Sequence, residues 1–156
     1  MSRRDQIRLT DDEIRDYLSG KKTVILTSNG PDGFPHTMPM WFSVDDEGAI
    51  CMTTFAKSQK VKNLQRDPRC TLLAESGVEY QELKGVVMYG NAEIIEEQDR
   101  IVDTLMTASA GGVPDDPEQE KALRANMART ASKRVLIRLR PDRVVSWDHA
   151  KLGGVY

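Results

Sequence analysis

Cys51-Met52-Thr53-Thr54-Phe55-Ala56-Lys57-Ser58-Gln59-Lys60-Val61-Lys62-Asn63-Leu64-Gln65-Arg66-Asp67-Pro68 decides how the chain is read. The stretch begins as a strand, turns, and opens a helix. Ser58 is a natural N-cap, since its hydroxyl can accept from the free N–H groups of a first helical turn. Lys57 and Lys60 flank the cap, and Lys62 follows. A helix N-terminus carries unpaired donors and a partial positive charge, so two added lysines and a hydroxyl make an anion socket with phosphate as the obvious guest. The plain alternative is a solvated pair of lysines at a helix start. Asp67-Pro68 stops the helix, because a residue before proline disfavours the α region.

The chain before this stretch reads as a helix and a meander. Thr10-Asp11-Asp12-Glu13 is a capping box, Ile14, Tyr17 and Leu18 follow at helical spacing, and Gly20 ends the helix. Strands are expected over 22–28, 35–44 and 49–55. Asn29-Gly30-Pro31-Asp32-Gly33 and Asp45-Asp46-Glu47-Gly48 form the turns between them. Beyond Pro68, strands are expected over 70–75 and 84–95. Gly90 inside the second marks a bulge or bend. A helix over 98–110 puts Ile101, Val102, Leu105 and Met106 on one face. Ala110 to Pro117 is a loop that could form a variable rim. Asp116-Pro117-Glu118-Gln119 starts a helix to about Ala131, with Ala122, Leu123, Met127 and Ala128 inward. Alternating Val135, Ile137 and Leu139 make a strand of 134–140, 143–147 is the last strand, and 148–154 is a polar tail. Many short strands with turn signals and a few helices give the fold class: mainly β, a small antiparallel β-barrel closed by helices.

The length of 156 residues fits one domain, 1–156, and 39% hydrophobic with 29% charged residues is the balance of an ordinary globular protein. A formal net charge of −2, without a basic patch interleaved with aromatics, argues against nucleic acid as a partner. Cys51 and Cys70 lie in apolar runs and read as buried thiols, and no metal-ligand spacing occurs. The charged start Met1-Ser2-Arg3-Arg4-Asp5 is no signal peptide and no apolar run spans a membrane, so a cytoplasmic location is expected. Hydrolase, zinc-protease, Walker A and dinucleotide-binding motifs are missing.

Pro35-His36-Thr37-Met38-Pro39-Met40-Trp41-Phe42 places two prolines in one strand. Proline removes a ladder donor, so this strand belongs at an edge. Its free backbone groups could bind a flat heterocycle beside the anion socket, with Met and Trp packing on it. His36 reads as a structural or rim histidine. His149, beside Trp147, Asp148 and Lys151, fits either a ligand rim or a solvated tail.

The order of the Pro-His-x-x-Pro-Met-Trp-Phe strand, the Asp-Gly turn, Thr53-Thr54, Lys57-Ser58-Gln59-Lys60, Asn63-Leu64 and Asp67-Pro68-Arg69 resembles the pyridoxamine 5′-phosphate oxidase-like, FMN-binding split-barrel superfamily. The likeness runs from about Thr10 to Tyr156. Ser146-Trp147-Asp148-His149-Ala150-Lys151-Leu152 is most similar to the branch that uses the deazaflavin coenzyme F-420. The resemblance implies a six- to seven-stranded antiparallel split barrel with about four helices, and a homodimer with the cofactor in the groove between barrels. It implies hydride transfer from coenzyme F-420, or alternatively FMN, to a small conjugated or apolar substrate. Cofactor contacts would come from Met38, Pro39, Met40, Trp41, Thr53, Thr54, Lys57, Ser58, Lys60, Asn63, Trp147 and Lys151. The family's Ser-Arg-Lys triplet reads Ser58-Gln59-Lys60 here, so the arginine is missing and Lys57 could replace its charge. No side chain is assigned as a catalyst; His36, Tyr89 or His149 could give a proton if close. Some relatives of the barrel bind haem or bilins without turnover, which is the non-enzymatic alternative.

Overall fold

The computed structural model describes residues 2–109 and 112–153. Eight antiparallel strands form one curved sheet in the order β2-β1-β5-β6-β7-β4-β3, with β8 also paired to β6. The strands are β1 Thr23–Asn29, β2 Pro35–Trp41, β3 Ser43–Val44, β4 Ile50–Phe55, β5 Arg69–Ser76, β6 Lys84–Ile95, β7 Arg134–Leu139 and β8 Arg143–Asp148. The helices are α1 Arg3–Gln6, α2 Asp11–Ser19, α3 Gln59–Arg66, α4 Gln98–Ser109 and α5 Pro117–Ala131, with 3-10 turns at Tyr80–Glu82 and His149–Leu152. This is the expected split barrel, with one more strand and one more α-helix than expected. Among the described residues, no helix is long and apolar enough to cross a membrane.

The split is visible at Phe42. The expected single strand over 35–44 breaks there: Phe42 is buried, its N–H donates to the Lys22 carbonyl, and the chain leaves one sheet edge for the other. β2 pairs only with β1, whereas β3 pairs with β4. β6 carries the opposite seam. Its first half, Lys84 to Tyr89, pairs β8, and Ala92 to Ile95 pairs β7. Gly90 sits at the change of partner, where an added Cβ would lie 2.9 Å from Leu139 Cδ1 and 3.0 Å from the Arg140 carbonyl. Only a residue without a side chain allows that approach.

The period-two alternation of strands sends Leu26, Met52, Leu72, Met88, Ile137 and Leu139 into the barrel, and α2 covers one opening with Ile14, Tyr17 and Leu18. A second cluster joins α4, α5 and the barrel wall through Ile101, Leu105, Met106, Ala131 and Leu136. In α5 the buried stripe is narrow. Leu123, Met127 and Ala131 reach the cluster, whereas Ala122 and Ala128, expected inward, are exposed. Ala110 and Gly111 of the expected loop lie outside the described residues. Gly112 to Asp116 is irregular, and Asp116 caps α5 through the Glu118 N–H.

The expected polar tail forms a capped turn as far as Gly153, and its last residue, Gly154, lies outside the described residues. Asp148 caps the turn His149–Leu152 by accepting from the Ala150 N–H. An N-terminal strap lies beside it. Asp148 N–H donates to the Ile7 carbonyl at 2.8 Å, and the Leu9 N–H to Ser146 Oγ at 3.1 Å. Lys151 Nζ donates to the Arg8 carbonyl and to the Glu13 carboxylate.

Candidate functional site

The turn between β4 and α3 brings together cations that form no ion pair among the described residues. Ser58 has the extended dihedrals of an N-cap, yet its hydroxyl makes no capping bond. Ser58 Oγ is buried and has no partner. A buried hydroxyl left unsatisfied costs about 1–3 kcal/mol. Lys60 Nζ donates to Thr54 Oγ1 at 3.1 Å, and Thr54 is buried at the end of β4. Burial, and then the charge of Arg134, push the Lys60 pKa below its ordinary value. Lys57 is exposed. No ion pair reaches Lys57, Lys60 or Arg134 among the described residues.

Arg134 was not anticipated. It opens β7 directly across from Phe55, the last residue of β4. Its guanidinium lies 4.6 Å from the Phe55 ring centroid, and its Nε is buried without a partner. From the sequence, Arg134 is only one of three arginines alternating with apolar residues, and nothing local separates it from a solvated strand face.

The helix itself departs from the expected roles. Gln59 Nε2 donates to Asn63 Oδ1 at 2.8 Å, and Asn63 Nδ2 to Ser28 Oγ at 3.2 Å. Asn63 is 0% exposed. It ties α3 to β1, with its side-chain amide bonded on both sides.

β2 is the sheet edge, as its prolines require. Pairing opposite β1 divides the expected platform between two faces. Met38 and Met40 lie across from Leu26 and Val24, which point into the barrel, while Pro39 and Trp41 lie across from Ile25 and Thr23 on the outer side. Met40 is buried at 8% exposure, and Met38 and Trp41 are open at 40% and 59%. Met40 is therefore a core residue. His36 faces Ser28 in register, and its Nδ1 is buried without a partner. Thr53 is half-buried next to Thr54 on the opposite face of β4.

Trp147 and Lys151 lie elsewhere in the chain. Trp147 sits across from Gly85 at the start of β6, whereas the β4–α3 turn neighbours the start of β7, paired with the far end of β6. Ten residues of strand separate Gly85 from Ile95, roughly 30 Å along β6. The Lys151 ammonium is already bonded to Glu13 and Arg8. His149 is held by the Tyr80 carbonyl through Nδ1 at 2.9 Å, beside that same end. Tyr89 lies under the Arg143 guanidinium on the outer face.

That outer face bears an apolar row across five strands. Pro39, Ile25, Leu73, Val87 and Val145 are successive register partners on β2, β1, β5, β6 and β8. All of them are half-buried or exposed. A separate cavity of about 840 Å³ opens between α2, the β3–β4 turn and the end of α4, lined by Ile14, Leu18, Phe42, Val44 and Val144, and no residue of the cation cluster reaches it.

Residues 10–148 match the family profile of pyridoxamine 5′-phosphate oxidase. Among solved structures, the Mycobacterium tuberculosis protein Rv2991 is 38% identical over 100% of this chain and 95% of that one, with a TM-score of 0.84. An F420 reductase is 21% identical over 83% of this chain and 94% of that one, with a TM-score of 0.59. A FAD-binding protein of Mesorhizobium loti is 16% identical over 88% and 92%, with a TM-score of 0.58. The last two are likenesses of fold. No curated protein matches the chain.

Proposed function

Since the chain belongs to the pyridoxamine 5′-phosphate oxidase family, we propose that it is an oxidoreductase holding a flavin-type cofactor by its phosphate at the β4–α3 turn, with coenzyme F-420 as that cofactor and a small conjugated or apolar molecule as substrate. The observation that carries this reading is the unpartnered, buried Ser58 hydroxyl beside the partly buried Lys60 ammonium, which forms no ion pair among the described residues. A phosphate fits that donor set: the hydroxyl, the ammonium and the free N–H groups of the first α3 turn all donate to it.

The cofactor, when bound, supplies the hydride chemistry. The chain supplies binding and exclusion of water. Ser58 and Lys60 hold the phosphate, and Thr54 holds Lys60 in place. The free edge of β2 offers backbone groups to a flat ring, and the exposed Met38 and Trp41 offer apolar surface on its two faces.

We further propose a homodimer. The apolar row from Pro39 to Val145 is the surface a second barrel would cover. Trp147 and Lys151 then meet a cofactor only as the contribution of the opposite copy, given their distance along β6 from the socket. FMN is the alternative guest, because a phosphate socket does not read the ring.

Titration of the purified protein with coenzyme F-420 and with FMN, followed by fluorescence, tests the reading. Tighter binding of F-420, with reduction of an acceptor from a quinone and nitroaromatic panel, is expected. Much tighter FMN binding overturns the deazaflavin choice. Binding without turnover of any acceptor favours a carrier, and no binding of either overturns the reading altogether.

A further inference from the structure

We propose that Arg134, from β7, is the third phosphate-binding cation of the socket and takes the place of the arginine that the turn lacks at Gln59. The proposal rests on the phosphate reading above and assigns a residue that the turn sequence does not contain.

Gln59 is not a shortened ligand. Its amide is committed to Asn63, which is committed to Ser28, so this side chain is a strut between α3 and β1. A guanidinium at position 59 would have to give up that strut. Arg134 reaches the same turn from the neighbouring strand. The register that sets it against Phe55 brings the start of β7 beside the end of β4, and the Ala56 N–H donates to the Lys133 carbonyl at 3.0 Å. The backbone around Arg134 is therefore bonded to the turn it serves.

Three observations make Arg134 a ligand-binding arginine rather than a surface one. Its guanidinium lies over the Phe55 ring, 4.6 Å from the centroid, a contact that limits its freedom while leaving a fork suited to phosphate oxygens. Its Nε is buried with no acceptor, alongside the Ser58 hydroxyl in the same condition. Arg134 is also near enough to Lys60 that its charge, second to burial, lowers the Lys60 pKa. Two like charges held together in a partly desolvated turn, with no ion pair among the described residues, destabilise the free protein, and a bound anion reverses the sign of that interaction.

The test uses the full chain and two probes, inorganic phosphate and FMN or coenzyme F-420, whichever binds the unaltered protein. Phosphate is expected to raise the melting temperature of the unaltered protein. Arg134→Gln should abolish that rise without lowering the melting temperature measured in phosphate-free buffer. It should weaken the cofactor about tenfold to a hundredfold, leaving riboflavin, which lacks the phosphate, bound as before. Arg134→Lys keeps the charge and the stem; it should fold as the parent does and recover part of the affinity, and it decides the matter should the glutamine variant not fold. Phosphate protection and cofactor affinity unchanged in both variants would overturn the proposal, as would a parent protein that phosphate does not protect. Phosphate protection lost in Arg134→Gln, in a protein that binds no flavin or deazaflavin, would uphold Arg134 and overturn the cofactor reading instead.

Discussion

The Arg138 guanidinium clasps the Asp45 carboxylate across the sheet, Nε to Oδ2 at 2.7 Å, and so fixes the β3–β4 turn to β7. Its other nitrogens reach Glu47 at 2.7 Å and Glu93 at 3.5 Å, with the guanidinium side chain only 13% exposed. Burial opposes the Asp45 charge, but Arg138 and the Ala49 and Glu47 amides outweigh it and hold the carboxyl below its usual value. Arg138→Ala strands that carboxylate and should cost about 2–3 kcal/mol in urea unfolding at neutral pH. A depressed carboxyl stabilises the fold above its unfolded value of 3.8, and the contribution is lost as pH falls through the lower folded value. The cost of Arg138→Ala should therefore hold from pH 8 to pH 5 and shrink in stronger acid. A cost that does not change with acidification would refute the pairing.

Gly85→Ala tests the contact between β6 and β8. An added Cβ would collide with the indole ring of Trp147, which packs directly over the glycine. A rigid ring cannot yield as a flexible side chain would, so the variant should lose about 2 kcal/mol. Its tryptophan emission should also shift. Unchanged stability and emission would mean that the ring does not rest there.

Lys60→Met separates stability from binding. An unfolded lysine titrates near 10.5, and in the folded chain burial and Arg134 lower that value. The unfolded state thus binds the proton more tightly, and the cofactor-free protein gains stability as pH rises through the interval up to 10.5. Removing the ammonium should raise the neutral-pH melting temperature by about 2 °C and flatten its rise with pH. The same variant should bind phosphate and the cofactor more weakly. A lower melting temperature without ligand would show that Lys60 is not strained by its neighbours.

Val87→Asp places one charge per copy in the middle of the apolar row. If that row is the dimer contact, the dissociation constant should rise by roughly a hundredfold or more. Sedimentation of the variant as a monomer, beside a dimeric parent, is the expected result. A parent that is monomeric at micromolar concentration, or a variant that still pairs, would sink the assignment.

The thiols give a simple check on the core. Burial pushes Cys51 and Cys70 each up to about 11, with the Asp45 charge adding to the effect at Cys51. Neither should react with a thiol reagent at pH 8 until the protein is unfolded, when both should. Rapid reaction of either in the native protein would contradict its burial.

The barrel was legible because alternation and turn residues are local. Val24 and Leu26, or Val135, Ile137 and Leu139, announce strands wherever the chain goes next, and Gly90 announced a bend. What failed depends on neighbours. Phe42 is as apolar as a strand residue, so the crossing between sheet edges left no mark. Alanine suits either surface, which hid the exposure of Ala122 and Ala128. Asn63 reads in the sequence as the next polar position on its helix, and its bond to Ser28 depends on a strand distant in sequence. Arg134, Arg138 and Arg140 read alike in an alternating strand. The structure gives them different surroundings, over Phe55, among three carboxylates, and in solvent. The lysines of the proposed socket stand in one stretch of sequence; Arg134 comes beside them through strand register alone.

The strap of residues 7–9 has a consequence for the order in which the protein is made. Leu9 finds Ser146 across 137 positions of chain. At cellular translation rates that separation is roughly ten seconds of synthesis. Through that interval Leu9 and the Ile7 carbonyl wait without their partners, whatever the central strands have achieved. The strap can therefore be fastened only after β8 has been made, so its docking depends on the completed sheet and not on the strands nearest it in sequence.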